Sequence, residues 1–390
     1  MHCIDQQIGS IATAQTYDNS IFVALELSRS SWLVAINVPG TEKVSKFRVG
    51  AADGDALLRL LARVKAQVEQ RCRRSVRVVS IQEAGLDGFW VHRMLEANGI
   101  ESHVVDAASI AVERRSRRVK TDRIDVEKLL RTLMGWARGE RRICAMVRPP
   151  NRQQEDERRL TRERETLLGE RIKHVNRIKG LLATQGIFDF EPMHKRRQRL
   201  EELRCWDGQP LPPRLKAELM RELERLELVL EQISTVEAER DLALQKRAAA
   251  EGRPEGADAG ALLIRLRGIG AEFASVLSLE AFFRRFQNRR QVAGYAGLAP
   301  SPWQSGGIDV EQGISKAGNS RLRRTMIQLA WLWLRNQPGS ALSRWFHERV
   351  GDRRGKIRRI AIVALARKLL VALWRYVTEG QVPAGAELKA

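Results

Sequence analysis

The stretch IFVALELSRSSWLVAINVPGTEKVSKFRVG, residues 21–50, decides the fold. It holds three short runs, IFVALEL, SWLVAINV and KVSKFRV, each rich in β-branched or aromatic residues and divided from the next by turn formers, so it predicts three antiparallel strands in succession. Downstream, ALLRLLARVKAQVEQ (56–70) places its apolar residues at helical spacing and VRVVSIQEA (76–84) reads as a strand. FWVHRMLEANG reads as a helix ending at Gly99, SHVVDA as a short strand, and a further helix is predicted from Thr121 to about Trp136. The order β-β-β-α-β-α-β-α suits a mixed sheet covered by helices.

That order is also the order of RNase-H-like nucleases, and it sets an expected α/β domain at 21–150 behind a flexible N-terminus, 1–20. Residues 151–247 change character: charge dominates, Gly is scarce, and Leu219, Leu223, Leu226, Leu230 and Ile233 alternate steps of four and three, the spacing of a coiled-coil seam. The prolines of DGQPLPP (207–213) forbid a continuous helix, so an antiparallel helical hairpin or a dimerising stalk is expected, the alternative being the core stripe of a helical bundle. AAAEGRPEGADAG (248–260) reads as a linker. A mainly α domain with glycine loops is expected at 261–377, and the tail 378–390 reads as a mobile end.

The chain carries 68 Lys and Arg against 47 Asp and Glu, a formal net charge of +21 spread through its length, which points to a polyanionic partner, nucleic acid first. A basic membrane-surface protein would confine such charge to one amphipathic helix or tail. No apolar run reaches the roughly 18 residues of a membrane span; the nearest, IRRIAIVALARKLLVALWRYV, is interrupted by Arg367 and Lys368 and reads as a buried or partner-packed helix. Cys3, Cys72, Cys144 and Cys205 form no C-x-x-C pair, and they read as ordinary thiols of a reducing cytoplasm.

Four carboxylates stand where strands or helices end: Glu26, Glu83, and Asp122 and Asp125 of TDRID. Residues three apart share a helix face, so Asp122 and Asp125 can approach one ion together. Acids among apolar strands are disfavoured without a counter-charge, which a divalent metal would supply; oxygen ligands favour Mg²⁺ or Mn²⁺, the ions of phosphoryl transfer. The competing reading makes Glu26 and Glu83 salt-bridged rim residues and Asp122 a helix cap.

Beside these acids, RRSRRVKTDR (114–123) sets Arg114, Arg115, Arg117, Arg118 and Lys120 in a run nearly all of one sign, suited to phosphates or, alternatively, a solvated face. In RLRGIGAEFASVL, Gly268 and Gly270 flank a turn like that of a helix-hairpin-helix, whose N–H groups meet a phosphate; a glycine-hinged core turn fits the same residues. In GLAPSPWQSGGIDVEQGISKAGNSRLRR (297–324), Ser305 precedes Gly306 and Gly307, which let a phosphate come close, although S-G-G is also an ordinary loop. Lys316 and Arg321 complete the candidate nucleic-acid contacts.

Together the IFVALELSRSSW opening, QEAGLDGFWVHRMLEANGIESHVVDAAS, RRVKTDRIDVEKLL, RLRGIGAEFASVLSLE and YAGLAPSPWQSGGIDVEQGISKAGNSRLR resemble the DEDD-type insertion-sequence transposases of the IS-one-ten family, over about residues 21–335. The resemblance implies a RuvC-like, RNase-H-like domain, a helical coiled-coil insert and a C-terminal transposase domain whose serine works with the acidic tetrad. Carried over by position, the tetrad is Glu26, Glu83, Asp122 and Asp125, and the serine is Ser305. It further implies DNA as substrate, a bacterial, nucleoid-associated setting, multimers (dimer or tetramer) in which the serine of one subunit joins the acids of another, and, as in some members, a structured guide (bridge) RNA.

One position departs from the family pattern. Its first acid is usually Asp, and here Glu26 stands in ALELS, moving the carboxylate by about one bond length in a metal site of strict geometry. Ser301 and Ser315 compete with Ser305 as nucleophile, and the double glycine favours Ser305. Two other functions fit parts of the pattern: a junction-resolving nuclease that uses metal-activated water and no serine, and an inactive relative that coats nucleic acid.

Overall fold

A computed structural model describes residues 17, 19–85, 88–110, 122–249, 258–305, 308–353 and 355–389, with the backbone alone at 108, 122, 123 and 302–312. It divides into two compact units, Met1–Pro150 and Asn151–Ala390.

The first unit is a mixed sheet in the order β3-β2-β1-β4-β5-β6. The strands predicted from 21–50 form an antiparallel meander, β1 (Ser20–Glu26), β2 (Ser31–Asn37) and β3 (Val44–Gly50). β4 (Arg77–Glu83) lies parallel to β1, and β5 (Glu101–Val105) parallel to β4, each reached through a crossover helix: α1 (Gly54–Cys72) and α2 (Trp90–Ala97). The sheet adds a short antiparallel edge, β6 (Met146–Val147), that no alternation in the sequence announced. Helices cover both faces, and the strand pleat sorts the core accordingly. Odd residues of β1, Ile21, Val23 and Leu25, pack with Leu57, Leu61, Val91 and Leu95 of α1 and α2. Ala24 of β1 and Val79 and Ile81 of β4 pack with Val126, Leu129, Leu130 and Leu133 of α3 (Asp122–Ala137). This mixed sheet with helices is the arrangement expected of an RNase-H-like domain.

The second unit is mostly helical. α4 (Arg152–Ala183), opened by a capping box on Asn151, packs along α6 (Pro213–Ala249), with the short α5 (Arg196–Glu202) in the connection between them. The predicted seam lies inside this hairpin: Leu219, Leu223 and Leu226 are buried with Ile178 and Leu182, and Ile233 with Leu167. Those side chains are therefore consumed within one chain rather than offered to a second. Of the expected linker, residues 250–257 lie outside the described residues, while 248 and 249 end α6.

Beyond them, α7 (Ala259–Ile264), α8 (Ala271–Leu277), a π-helical turn Ser278–Phe282 and α9 (Arg289–Tyr295) lead to a two-stranded β-hairpin, β7 (Pro300–Ser305) and β8 (Ile308–Ile314). Then come α10 (Ser320–Asn336), α11 (Ala341–Val350) and α12 (Lys356–Glu379). The domain is mainly α as expected, and the β-hairpin is an addition that the sequence reading did not anticipate. Pro300 and Pro302 mask a strand in the sequence, yet Pro-bearing strands are tolerated in an isolated pair, where no third strand needs their N–H. The tail differs too: it is held rather than mobile. Leu388 forms a bridge with Leu266, the Arg267 N–H donates to Glu387 O (3.0 Å), and the Lys389 N–H donates to Arg265 O (2.7 Å). Gly and charge in the tail conceal this because the bonds are made by its backbone. Among the described residues no helix is long and apolar enough to cross a membrane.

Candidate active site

The register of the sheet places two of the four acids on adjacent strands. The last printed pair of the parallel strands β1 and β4 is Leu25 with Gln82, so Glu26 and Glu83 each stand one residue further, at the C-terminal ends of adjacent strands. By the two-residue period, Glu26 continues the face of Ala24 and Glu83 the face of Val79 and Ile81, which is the face covered by α3. α3 packs across that face. Trp136, near its C-terminus, meets His103 of β5 with ring centroids 4.7 Å apart. Glu127 pairs with Lys46, whose cross-strand row is Ala35 and Ala24, two residues short of Glu26.

Glu26, Glu83 and Asp125 are each half-buried, and Glu26 and Glu83 engage other groups of the protein. The side chain of Asp122 lies outside what is described. Among the described residues no three His, Cys, Asp or Glu side chains stand close enough to hold a metal ion. The donor chemistry, carboxylate oxygens alone at the end of a sheet, fits a hard divalent cation. The arginine run at 114, 115, 117, 118 and Lys120 lies outside the described residues.

The serines belong to the second unit. Ser305 is the last residue of β7 and pairs with Ile308, placing it at the turn of the hairpin; Gly306 and Gly307 between them lie outside the described residues. Ser301 sits where the register slips between Pro300 and Pro302, and Ser315 follows β8 at the base, its N–H donating to Ala299 O (2.8 Å). The base is locked by two glycines that the sequence reading passed over. A Cβ on Gly297 would lie 2.0 Å from Ala317 O, and one on Gly318 2.4 Å from Tyr295 O, while the Asn319 N–H donates to Tyr295 O (2.8 Å). The GLAPS and ISKAGN blocks thus meet backbone to backbone beneath the hairpin, and only glycine permits the approach.

Two other expected contacts are redefined by their surroundings. Arg321 donates to Thr161 O and pairs with Glu165 (3.4 Å), its side chain largely buried, so its charge is committed inside the unit and not presented to a phosphate. Gly268, at φ +86°, sits against Asn336, whose Cβ would be 2.6 Å from an added Cβ, while Gln337 Nε2 donates to Arg267 O (2.8 Å). The turn between α7 and α8 is packed on the end of α10, and Gly268 has a packing reason for being glycine. Gly270 has open space around its Cα.

A buried acid also escaped the sequence reading. Glu280, on the π-helical turn, is 2% exposed and accepts hydrogen bonds from Arg162 Nε (3.0 Å), Arg162 Nη2 (3.3 Å) and Asn319 Nδ2 (3.2 Å). Burial alone would raise its carboxyl, but Arg162, the nearby Arg158 and the Asn319 amide outweigh that and hold it below the usual carboxylate range. The visible signal was a single acid inside the apolar run VLSLEAFF. This network ties α4 to the Asn319 end of the hairpin base.

The comparisons agree with these two halves. A family model described as Transposase, IS116/IS110/IS902 family, matches residues 260–344, which include Ser305, and a DEDD transposase model of the same element family matches 28–187, which include Glu83, Asp122 and Asp125 and begin just past Glu26. Similar proteins include y4rJ of Sinorhizobium fredii, named as a transposase, 56% identical over 95% of each chain. The transposase for insertion sequence element IS1328 of Yersinia enterocolitica is 26% identical over 67% of this chain and 73% of its own. That for IS1111A of Coxiella burnetii is 26% identical over 77% of each. Such matches define a class, the DEDD transposases of insertion sequences. The chain belongs to the IS116/IS110/IS902 transposase family.

Proposed function

We propose that this transposase cuts and rejoins DNA strands with Ser305 as the nucleophile and Glu26, Glu83, Asp122 and Asp125 as the acids that hold Mg²⁺ or Mn²⁺. The observation that supports this reading is the juxtaposition of Glu26 and Glu83 at neighbouring strand ends on the face that α3 covers. A divalent ion held there would neutralise charge on the phosphoryl oxygens. Ser305 Oγ forms a bond to phosphorus as one bond from phosphorus to a deoxyribose oxygen breaks, the serine proton passing to a nearby base and the departing oxygen gaining a proton. Attack by the hydroxyl of an incoming strand reverses the step, joining the new strand and freeing the serine. Because the bond energy is kept in the serine ester, no hydrolysis intervenes and the strands can be rejoined without an external energy source.

The turn position of Ser305 suits this role, since a residue at the end of a two-stranded ribbon can enter a groove that a packed core residue cannot. The acids and the serine lie in different units, and the reading places them together in an assembly of two or four copies in which the serine of one copy serves the acids of another. Arg114, Arg115, Arg117, Arg118 and Lys120 would hold the strand beside the acids, Gly306 and Gly307 would admit its phosphate, and Gly270 remains a candidate backbone contact, with a structured guide RNA as an additional partner. The test places the gene on a plasmid within its native flanking DNA and amplifies the junction of the excised circle. Circles are expected from wild type and lost in Ser305→Ala and Asp122→Ala; circles that persist in Ser305→Ala would assign the attack to Ser301 or to water, as in a junction-resolving nuclease.

A further inference from the structure

The second unit carries a groove of about 1590 Å³ formed by α9, α11, α12 and the base of the β-hairpin. Ten Lys and Arg side chains line it and, among the described residues, no Asp or Glu does. They come from separate parts of the chain: Arg289 and Arg290 from α9, Lys316 from beyond β8, Arg349 from α11, and Arg359 and Arg375 from α12 among them. α12 has two unlike faces. Ile362, Leu365, Leu369, Leu370 and Leu373 are buried in the core, while the opposite stripe faces the groove with its cations set among Ile360, Val363 and Val371. The run that reads in sequence as a buried or partner-packed helix is buried on one side only.

What separates this surface from an ordinary charged face is pairing. On the helical hairpin the cations are matched within the chain: Arg177 with Glu218 and Glu222, Arg197 with Glu227, Lys216 with Glu201. Among the described residues, no ion pair joins any of the ten groove cations to an acid. Ten like charges held around one groove repel one another, a cost that persists unless a polyanion enters. The reach also suits a polynucleotide. From Lys356 to Arg375 along α12 is about 28 Å at 1.5 Å per residue, or roughly eight steps of a B-form strand at 3.4 Å per phosphate. Trp345, covered by Lys368 at 4.6 Å, and the aliphatic residues of the stripe give the floor an apolar surface suited to sugars. Pro300, Gly313 and Ile314 of the hairpin base line the same groove, so a strand lying in it runs toward the ribbon that carries Ser305.

We infer that this groove is a binding track for the sugar-phosphate backbone of duplex DNA flanking the strand-exchange position. The inference takes DNA as the polyanion from the function proposed above, but it does not depend on which serine attacks. It is tested in the full chain by fluorescence anisotropy with a 30-base-pair duplex from the element end, titrated over a range of salt concentrations. Arg349→Gln, Arg359→Gln and Arg375→Gln are combined; all three are exposed, and none packs in the core. Loss of three phosphate contacts should lower the slope of log K against log salt by about 2.7, at 0.9 per contact, and replacing the same three by Lys should restore it. The matched control, Arg177→Gln with Arg197→Gln and Lys216→Gln, removes equal charge from the hairpin and should leave the slope unchanged. Equal losses in the two triple variants, or an unchanged slope in the groove variant, would overturn the proposal. So would a loss confined to structured RNA with duplex binding intact, which would assign the groove to RNA. Ser305→Ala should keep the full slope whatever its effect on strand cutting, so a failed nucleophile and a failed groove give different results.

Discussion

Arg162 lays two guanidinium nitrogens against the two carboxylate oxygens of Glu280, at 3.0 and 3.3 Å, across 118 residues of chain. Glu280 is buried and Arg162 about half exposed, so the pair joins α4 to the π-helical turn with one partner out of water, and the Asn319 amide on the same carboxylate carries the link to the hairpin base. Removing the acid alone leaves Arg158, Arg162 and Arg321 facing one another. Glu280→Gln should destabilise the chain by about 3 kcal/mol, the scale for breaking a buried pair on one side, read as a lower urea midpoint. If Glu280→Gln and Arg162→Gln add with no coupling, the pair is not what ties the two segments.

The same carboxylate sets an acid limit. Its folded value lies below the ordinary 4.5, so its contribution is present in full above that value and is lost as pH falls through the lower, folded one. Urea unfolding of wild type should weaken more steeply below about pH 4.5 than that of Glu280→Gln. Parallel pH profiles for the two would remove Glu280 from the acid response.

At Glu26 the chain carries the longer acid at the end of β1. Glu26→Asp should preserve strand cutting, whereas Glu26→Gln should lower it by roughly 100-fold or more, as loss of a group that stabilises transition-state charge does. Excess chelator should abolish cutting in both wild type and Glu26→Asp, and Mg²⁺ or Mn²⁺ should restore it. Full activity in Glu26→Gln would show that this carboxylate holds no ion.

The Gly-Ile-Gly turn separates packing from binding. Gly268→Ala places a Cβ against Asn336 in a left-handed backbone and should cost about 1–3 kcal/mol of stability. Gly270→Ala meets open space at an extended φ and should cost much less. Comparable stability losses in thermal unfolding would contradict the packing role of Gly268.

Much of the first unit was legible because its signals are local. Runs such as IFVALEL and VRVVSIQ announce strands, and an acid late in the first run and one directly after the second mark the strand ends, so Glu26 and Glu83 could be found without coordinates. Their register could not, because it depends on which strands become neighbours. The β-hairpin of Ser305 was hidden by Pro300 and Pro302, although W-Q-S-G-G-I-D-V has the alternation and two-residue loop of a hairpin. Arg321 looked like a phosphate contact because charge in sequence does not reveal whether a partner such as Glu165 lies across the fold. The groove was illegible for the same reason, its cations being scattered from Arg289 to Arg375 and brought together only by packing.

The closing segment of the chain is gripped largely through its main chain, with the Glu387 carboxylate paired to Arg267 and Lys389 Nζ donating to Ile269 O as side-chain additions. The Arg267 N–H bonds Glu387 O, the Lys389 N–H bonds Arg265 O, the Ala341 N–H bonds Ala384 O, and the Gln337 amide both donates to and accepts from the backbone of Glu387. Main-chain recognition is indifferent to most side chains but strict about spacing. Across homologues this segment should therefore drift more in residue identity than in length, Gly385 excepted because its left-handed backbone lies against Gly339 O, while tolerating neither insertion nor deletion between Gly380 and Lys389.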